Sequence, residues 1–401
     1  MAPAPAPAFA SLNPLQRRRL GVPSSRPDSS DAAPFEISPP SAECRPPMDR
    51  DQRRSCRNAR FNLLQETWIE RLAFGPTPLQ DRLIQLWLGI FPVNWRQTGQ
   101  PEHLVSQIET IRRHLNGSYA DLLSAMVVDR AVLHSLNGFR NRRGNPNENL
   151  GRELLELFSL GEGHYDEADV IAAARALTGY RVTKGGKVRL VPRFHDDGAK
   201  TILGRTERFD APGLVAWLCE QPATPRHITA RLWLQLVGPL PSQARLASIA
   251  GAWQQQNLAI PWLVLTLLQS DEASASIRQG AMVRDPIDLV IASLALLGSR
   301  HPDALAAARI HLGRMGQAAF EPPSVKGWPV NQEWLNLRWL EARRRGLLAL
   351  LADEEVWLSR ALPAQLGTGL TPIAPVALAL PASAGRDSLA QLFIDPVWQL
   401  K

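Results

Sequence analysis

The densest run of side chains able to do chemistry is Asn147-Glu148-Asn149-Leu-Gly-Arg152-Glu153-Leu-Leu-Glu156. On a helix, Glu148 and Arg152 are i, i+4 neighbours, as are Arg152 and Glu156, while Asn149, Glu153 and Glu156 line one face. This pattern has two readings. In the first it is a solvated face of ion pairs behind an asparagine cap, each pair worth roughly a few tenths of a kcal/mol. In the second it turns carboxylates into a polar cavity, with Glu148 and Glu153 as catalytic groups and Asn147, Asn149, Arg152 and His164 as substrate contacts. The pair His195-Asp196 lies further along the chain. Its residue types suit hydrogen bonding and divalent-metal ligation, and beside Glu148 or Glu153 it could activate water. The plainer expectation is that His195 and Asp196 brace a hairpin against the helix, and that His164 is packed or solvated.

Well-known catalytic spacings are absent: no HExxH, no GxSxG, no GxxxxGK[ST], and no GxGxxG after a strand. The three cysteines, Cys44, Cys56 and Cys219, form no CxxC pair. That argues against a thiolate zinc site or a disulfide framework. Cys44 and Cys56 could pair in an oxidising compartment, but free thiols are expected. Arg175 lies among Ala172, Ala173, Ala174 and Ala176. Such small neighbours predict an internal ion pair with Glu153 or Glu156. Trp328, in Gly327-Trp328-Pro329, is expected to pack in the core.

Helices must position these groups. Leu79, Leu83, Leu86, Trp87, Ile90 and Phe91 form an apolar stripe, predicting a helix over 78–91. Similar patterns cover 102–115, 119–136 and 149–160. Asp166, with Asp169 at the third helical position, should cap a helix over 167–178 that stops at Gly179. Thr224-Pro225 predicts a cap and first turn for 225–237. Further helices are expected over 242–256, 261–270, 285–298, 302–315 and 333–351. Residues 181–191, with Gly185-Gly186 at the centre, read as a β-hairpin. The fold class is thus mainly α, a multi-helix globular domain with a small β-hairpin insertion.

Composition sets the outer limits. A hydrophobic fraction of 45% and a charged fraction of 21% are those of a soluble globular chain. The net charge is +7, but residues 1–60 hold ten arginines against six acids, so the rest carries only +3. That is too little for a strongly basic face, and nucleic acid is not an expected partner. Residues 1–55 hold eleven prolines and few bulky apolar residues, predicting a disordered leader. A helical domain over 56–362 and a Pro/Ala-rich segment over 363–401 follow, with Thr371–Ala384 wrapping the surface. No apolar run reaches the ~20 residues of a membrane span. The N-terminus lacks a convincing signal peptide, so the expected location is the cytoplasm, with export left open.

The run NENLGRELLELFSLGEGHYDEADVIAAARALTGY, Asn147 to Tyr180, resembles the core signature of the bacterial family catalogued as domain of unknown function 1800. Further blocks resemble that family in order: Asn141-Arg142-Arg143-Gly144, Phe194-His195-Asp196, Lys200–Gly204, Pro222–Arg226, Phe320–Pro323 and Val325–Pro329. The resemblance covers residues 60–345 and implies no established reaction. It does imply a sulfatase-like protein as partner, since the two families often occur side by side. One departure matters. The family's early helix commonly reads Trp-x-Asn-His-Phe, whereas this chain has Trp87-Leu88-Gly89-Ile90-Phe91. The family's usual Tyr and Asp upstream of the signature are replaced by Ser135 and Asn137. The expected function is therefore a binding or scaffold-like protein with a partly eroded polar site. The alternative is a hydrolase-like enzyme using the Glu/His/Asp residues, with or without a divalent metal as cofactor.

Overall fold

Polar caps and first-turn prolines set where the helices begin. The computed structural model describes residues 9, 11–22, 33–38, 44, 47–183, 186–352 and 386–401. Asn13 and Gln16 form a reciprocal capping box that opens α1 (Pro14–Arg19). Asp49 and Gln52 do the same for α2 (Arg50–Phe74). Proline stands in the first turn of α3 (Pro78–Ile90) and of α5 (Pro101–His114), with the single turn α4 (Trp95–Thr98) between them. The segment 119–136, expected as one helix, is two, α6 (Tyr119–Val127) and α7 (Arg130–Ser135). The break comes at Asp129, whose buried carboxylate accepts from Ala131 N at 2.8 Å and starts a new helix.

The signature run folds as α8 (Glu148–Glu156), and α9 (Glu167–Ala176) packs against it. Asp166 and Asp169 close the expected capping box on α9. Gly151 is what lets the two helices approach. A Cβ there would lie 2.9 Å from Ala174 N and 3.1 Å from Val170 O, so backbone meets backbone. The expected hairpin is present as β1 (Tyr180–Val182) and β2 (Val188–Leu190), paired antiparallel with Arg181 opposite Arg189. Gly185 of its turn lies outside the described residues. A second hairpin, β3 (Lys200–Ile202) with β4 (Arg205–Glu207), was not expected. Its two-residue turn holds Leu203 and Gly204 at φ 50° and 77°, and Asp169 accepts from Leu203 N at 2.8 Å.

The second half of the chain is helical: α10 (Ala211–Glu220), α11 (Ala223–Leu236), α12 (Gln243–Gln255), α13 (Ile260–Leu268) and α14 (Asp271–Gln279). It continues through α15 (Pro286–Leu297), α16 (Pro302–Arg314), α17 (Leu337–Ala352) and α18 (Arg386–Ile394). Thr224 is not the cap expected for α11. It sits one residue inside the helix, and its hydroxyl donates to Leu218 O at 2.6 Å. The molecule is mainly α, with only small hairpins among its described residues. The core runs through α3, whose Trp87 and Phe91 stack with Tyr119, itself 5.8 Å from Trp253. Tyr119 donates to Phe158 O at 2.6 Å, so the buried phenol is satisfied. Each such buried side chain contributes roughly 1.5–3 kcal/mol of hydrophobic stabilisation.

Both ends of the chain contribute buried side chains where they are described. Five apolar side chains of the leader, Phe9, Leu12, Leu20, Val22 and Phe35, are buried, and α2 begins before residue 55. A few apolar side chains suffice because they dock on a core that the rest of the chain supplies. Thr371–Ala384 and the start of the 363–401 segment lie outside the described residues, but residues 386–401 pack as α18 and a turn holding buried Trp398. The free-thiol expectation fails for two cysteines. Cys44 and Cys56 form a disulfide, because the approach to α2 brings their Cα atoms to 5.6 Å. Cys219 is free and buried, its thiol pushed up to about 12 by burial.

Candidate functional site

The signature residues are largely taken up by structure. Asn147 caps α8, accepting from Asn149 N at 3.1 Å, and its own N–H donates to buried Asn141. Asn149 donates to Leu136 O at 3.3 Å. Arg152 grips Glu167 of α9 through both Nη atoms, at 2.6 and 3.0 Å, with Glu148 more distant at 3.7 Å. His164 is exposed. Only Glu153 is buried, and burial, then the neighbouring Glu156, raises its carboxyl above the ordinary range.

His195 and Asp196 belong to a different cluster. His195 Nδ1 lies 3.0 Å from Thr178 O and 3.3 Å from the Thr178 hydroxyl. Asp196 pairs with Arg175 at 2.8 Å, which holds its carboxyl below the usual value. Its carboxylate also accepts from Gly198 N, and its backbone carbonyl from Lys200 Nζ. Arg175 therefore pairs not with Glu153 or Glu156, as the sequence predicts, but with the loop after the first hairpin. The small-neighbour argument that linked it to α8 takes no account of a loop folding over α9. Among the described residues no hydrogen bond or ion pair joins Glu148 or Glu153 to His195 or Asp196. Nor do three His, Cys, Asp or Glu side chains among them converge as a metal site.

Two openings meet beyond α8. Glu156 and Glu162 face a shallow cleft of about 340 Å³ with His227 and Lys326, whose Nζ is 2.8 Å from Glu162 and 3.5 Å from Glu156. Arg231 of α11 lines that cleft and donates to Gly89 O, Ile90 O and Leu157 O at 3.0–3.2 Å. Arg231 and Lys326 also line a second cavity of about 310 Å³. One wall of it is α3, through Arg82, Gln85 and Gly89, and another is the loop carrying Trp328 and Trp334. Arg19 and Leu20, from the segment expected to be disordered, and Lys401 complete it. Trp328 is half-buried at this wall rather than packed in the core as expected.

The charge here is unusual. Arg82 pairs with Asp288, which also pairs with Lys401, and Arg82 Nε donates to Leu20 O at 2.9 Å. Gly21, at φ 75°, allows that closure, because a Cβ would collide with the Arg82 guanidinium. Arg19 donates to Lys401 O and Ser276 Oγ, both at 2.8 Å. Behind these lie Arg343, which donates to Arg284 O at 2.9 Å, and Arg284, stacked on Trp398. Burial pushes Arg82 and Arg19 down to about 10, Arg284 to about 9 and Lys401 to about 8. Sequence reasoning missed this cluster, whose members are scattered from residue 19 to 401. No local signal marks them: Arg82 stands beside Asp81 in α3 and reads as an ordinary helical charge.

A family model described as protein of unknown function (DUF1800) matches residues 6–395. The chain belongs to this family. No curated protein and no solved structure matches it. The positions at which this DUF1800 member departs from the Trp-x-Asn-His-Phe pattern now have places. Ile90 is buried in the core, whereas Gly89 lines the cavity of about 310 Å³, with Gln235 3.6 Å from where its Cβ would be. Ser135 donates to Gln97 Oε1 at 2.7 Å, and Asn137 adopts a left-handed backbone at φ 56°.

Proposed function

We propose that this protein binds a small molecule in the cavity beneath Gly89, and that its role is binding rather than turnover. The observation that carries the reading is the division of polar residues. Glu148, Arg152, His195 and Asp196 are each held in pairings that brace α8, α9 and the hairpin, whereas the cavity gathers charged and aromatic side chains from six separate parts of the chain. Glycine at a position where the family carries asparagine leaves room at that wall, which fits a polar site partly eroded and still open. A sulfatase-like partner belongs to the same proposal, as the protein that would deliver or receive the ligand. The Cys44–Cys56 disulfide favours an oxidising compartment over the cytoplasm that the leader sequence predicts.

A hydrolase reading draws on one observation, the buried Glu153 with its raised carboxyl above a cleft that holds Glu156, His227 and Lys326. One experiment separates the two. Purified protein is assayed against ester, phosphate and sulfate panels, and native mass spectrometry records any retained ligand. The binding reading expects no turnover, and a retained mass lost in Gly89→Phe but kept in Glu153→Gln. Turnover abolished by Glu153→Gln or His195→Ala would reverse the assignment.

A further inference from the structure

The polar atoms around the cavity beneath Gly89 are unequally provided for. Apart from Gln235, its side-chain acceptors are engaged. Gln85 Oε1 accepts from Trp68 Nε1 at 2.8 Å, Gln317 Oε1 from Ile287 N at 2.8 Å, and Asn331 Oδ1 from Val283 N at 2.9 Å. Glu333 accepts from Val330 N, Asp285 from Asp288 N, and Asp288 pairs with Arg82 and Lys401. Its donors are not. Four lining residues have a buried N–H without a partner: Arg19 Nε, Arg82 Nη1, Trp328 Nε1 and Trp334 Nε1. Arg19, Arg82 and Trp334 are 1%, 3% and 0% exposed, so bulk water does not serve them. A buried donor left alone is costly, and a buried guanidinium more so.

Charge points the same way. Arg19, Arg82, Arg231, Lys326 and Lys401 line the cavity with Arg284 and Arg343 behind them, against the lining carboxylates Asp285, Asp288 and Glu333. Like charges gathered out of water repel with little screening, and one charge remedies both the repulsion and the idle donors. We propose that the cavity binds an oxyanion, the phosphate or sulfate group of a small ester, through Arg82 and the indole N–H groups of Trp328 and Trp334. This rests on the binding reading above and names its ligand class. Leu86, Leu234 and Leu236 on the remaining wall would take the apolar part of the ester. The indoles supply directional donors and the arginine supplies charge, the combination that recognises tetrahedral oxyanions.

The test uses the full chain at constant ionic strength, titrated with inorganic phosphate and with inorganic sulfate, followed by calorimetry and thermal shift against chloride. A saturable 1:1 isotherm and a rise in Tm are expected with at least one of them. Tighter phosphate identifies a phosphate ester as the source, and tighter sulfate a sulfate ester. Trp328→Phe keeps the ring and removes one donor to the anion, so affinity should fall about tenfold. Arg82→Gln should abolish binding. Because that change also strips Asp288 of a partner, the tryptophan variant and Gly89→Phe serve as the folded tests. No saturable binding of either anion overturns the inference, as does binding that neither Trp328→Phe nor Gly89→Phe alters. A neutral ligand retained by the native protein and displaced by Gly89→Phe would sink the oxyanion while leaving the binding reading intact.

Discussion

Single side chains here are governed by what burial does to charge. His103 is buried and stacked on His134 with centroids 4.5 Å apart. Burial foremost, then His134 and Arg130, pushes its imidazole down to about 4. His227 is likewise pushed to about 4, by burial and then Arg231. Between pH 6.5 and 4 the unfolded chain therefore binds protons that the folded one refuses. This stability is complete above pH 6.5 and is lost as pH falls toward 4, by up to about 1.4 kcal/mol per pH unit for each group. His103→Phe keeps the stacked ring and removes the titration, so its acid slope in denaturant melts should be shallower than that of the native protein. Equal slopes would show that His103 is not held neutral.

Elements depend on close approach as much as on propensity. A glycine inside an exposed helix normally costs ~1 kcal/mol relative to alanine, so Gly→Ala there stabilises. At Gly151 the sign should invert. The new methyl would meet Ala174 N at 2.9 Å and Val170 O at 3.1 Å, backbone atoms that move only if α8 and α9 separate. Gly151→Ala should destabilise by about 1–3 kcal/mol in urea melts, the usual cost of overpacking. A gain in stability would mean that the helices are not pressed together there. The same pair explains why so much polar signature is structural: Arg152 crosses to Glu167, Asp169 holds the second hairpin's turn, and Arg175 holds Asp196. These groups fix two hairpins to one helix.

At the scale of the molecule, both described ends of the chain close on the cavity. Arg19 and Leu20 reach it from α1, while Lys401 is held by pairing of the last residues with 282–284, through Arg284 N to Gln399 O at 2.7 Å and Lys401 N to Met282 O at 2.9 Å. The Cys44–Cys56 disulfide ties the approach of α2 to that helix's exposed first half. Closing so short a loop limits the unfolded chain, and Cys44→Ser/Cys56→Ser should lower stability by up to about 3 kcal/mol. A reductant should reproduce the loss in the native protein and leave the double variant unchanged; insensitivity of the native protein would argue against the bond. Among the described residues no helix is long and apolar enough to cross a membrane.

Local information was enough for much of this. The stripe Leu79 to Phe91, the Asp166/Asp169 cap and the alternation around β1 and β2 each act within a few residues, so sequence determined α3, α9 and the first hairpin. It determined the family too, because the motifs from Asn147 to Tyr180 are contiguous. It could not show the packed leader, since Phe9, Leu20 and Val22 find their partners on a core built elsewhere in the chain. It pointed Arg175 to Glu153 or Glu156, whereas the loop after the first hairpin brings Asp196 to it. The cavity is the extreme case. Arg19, Arg82, Arg284, Arg343 and Lys401 are unremarkable residues in sequence, and only tertiary packing removes them from water together, where their charge becomes costly.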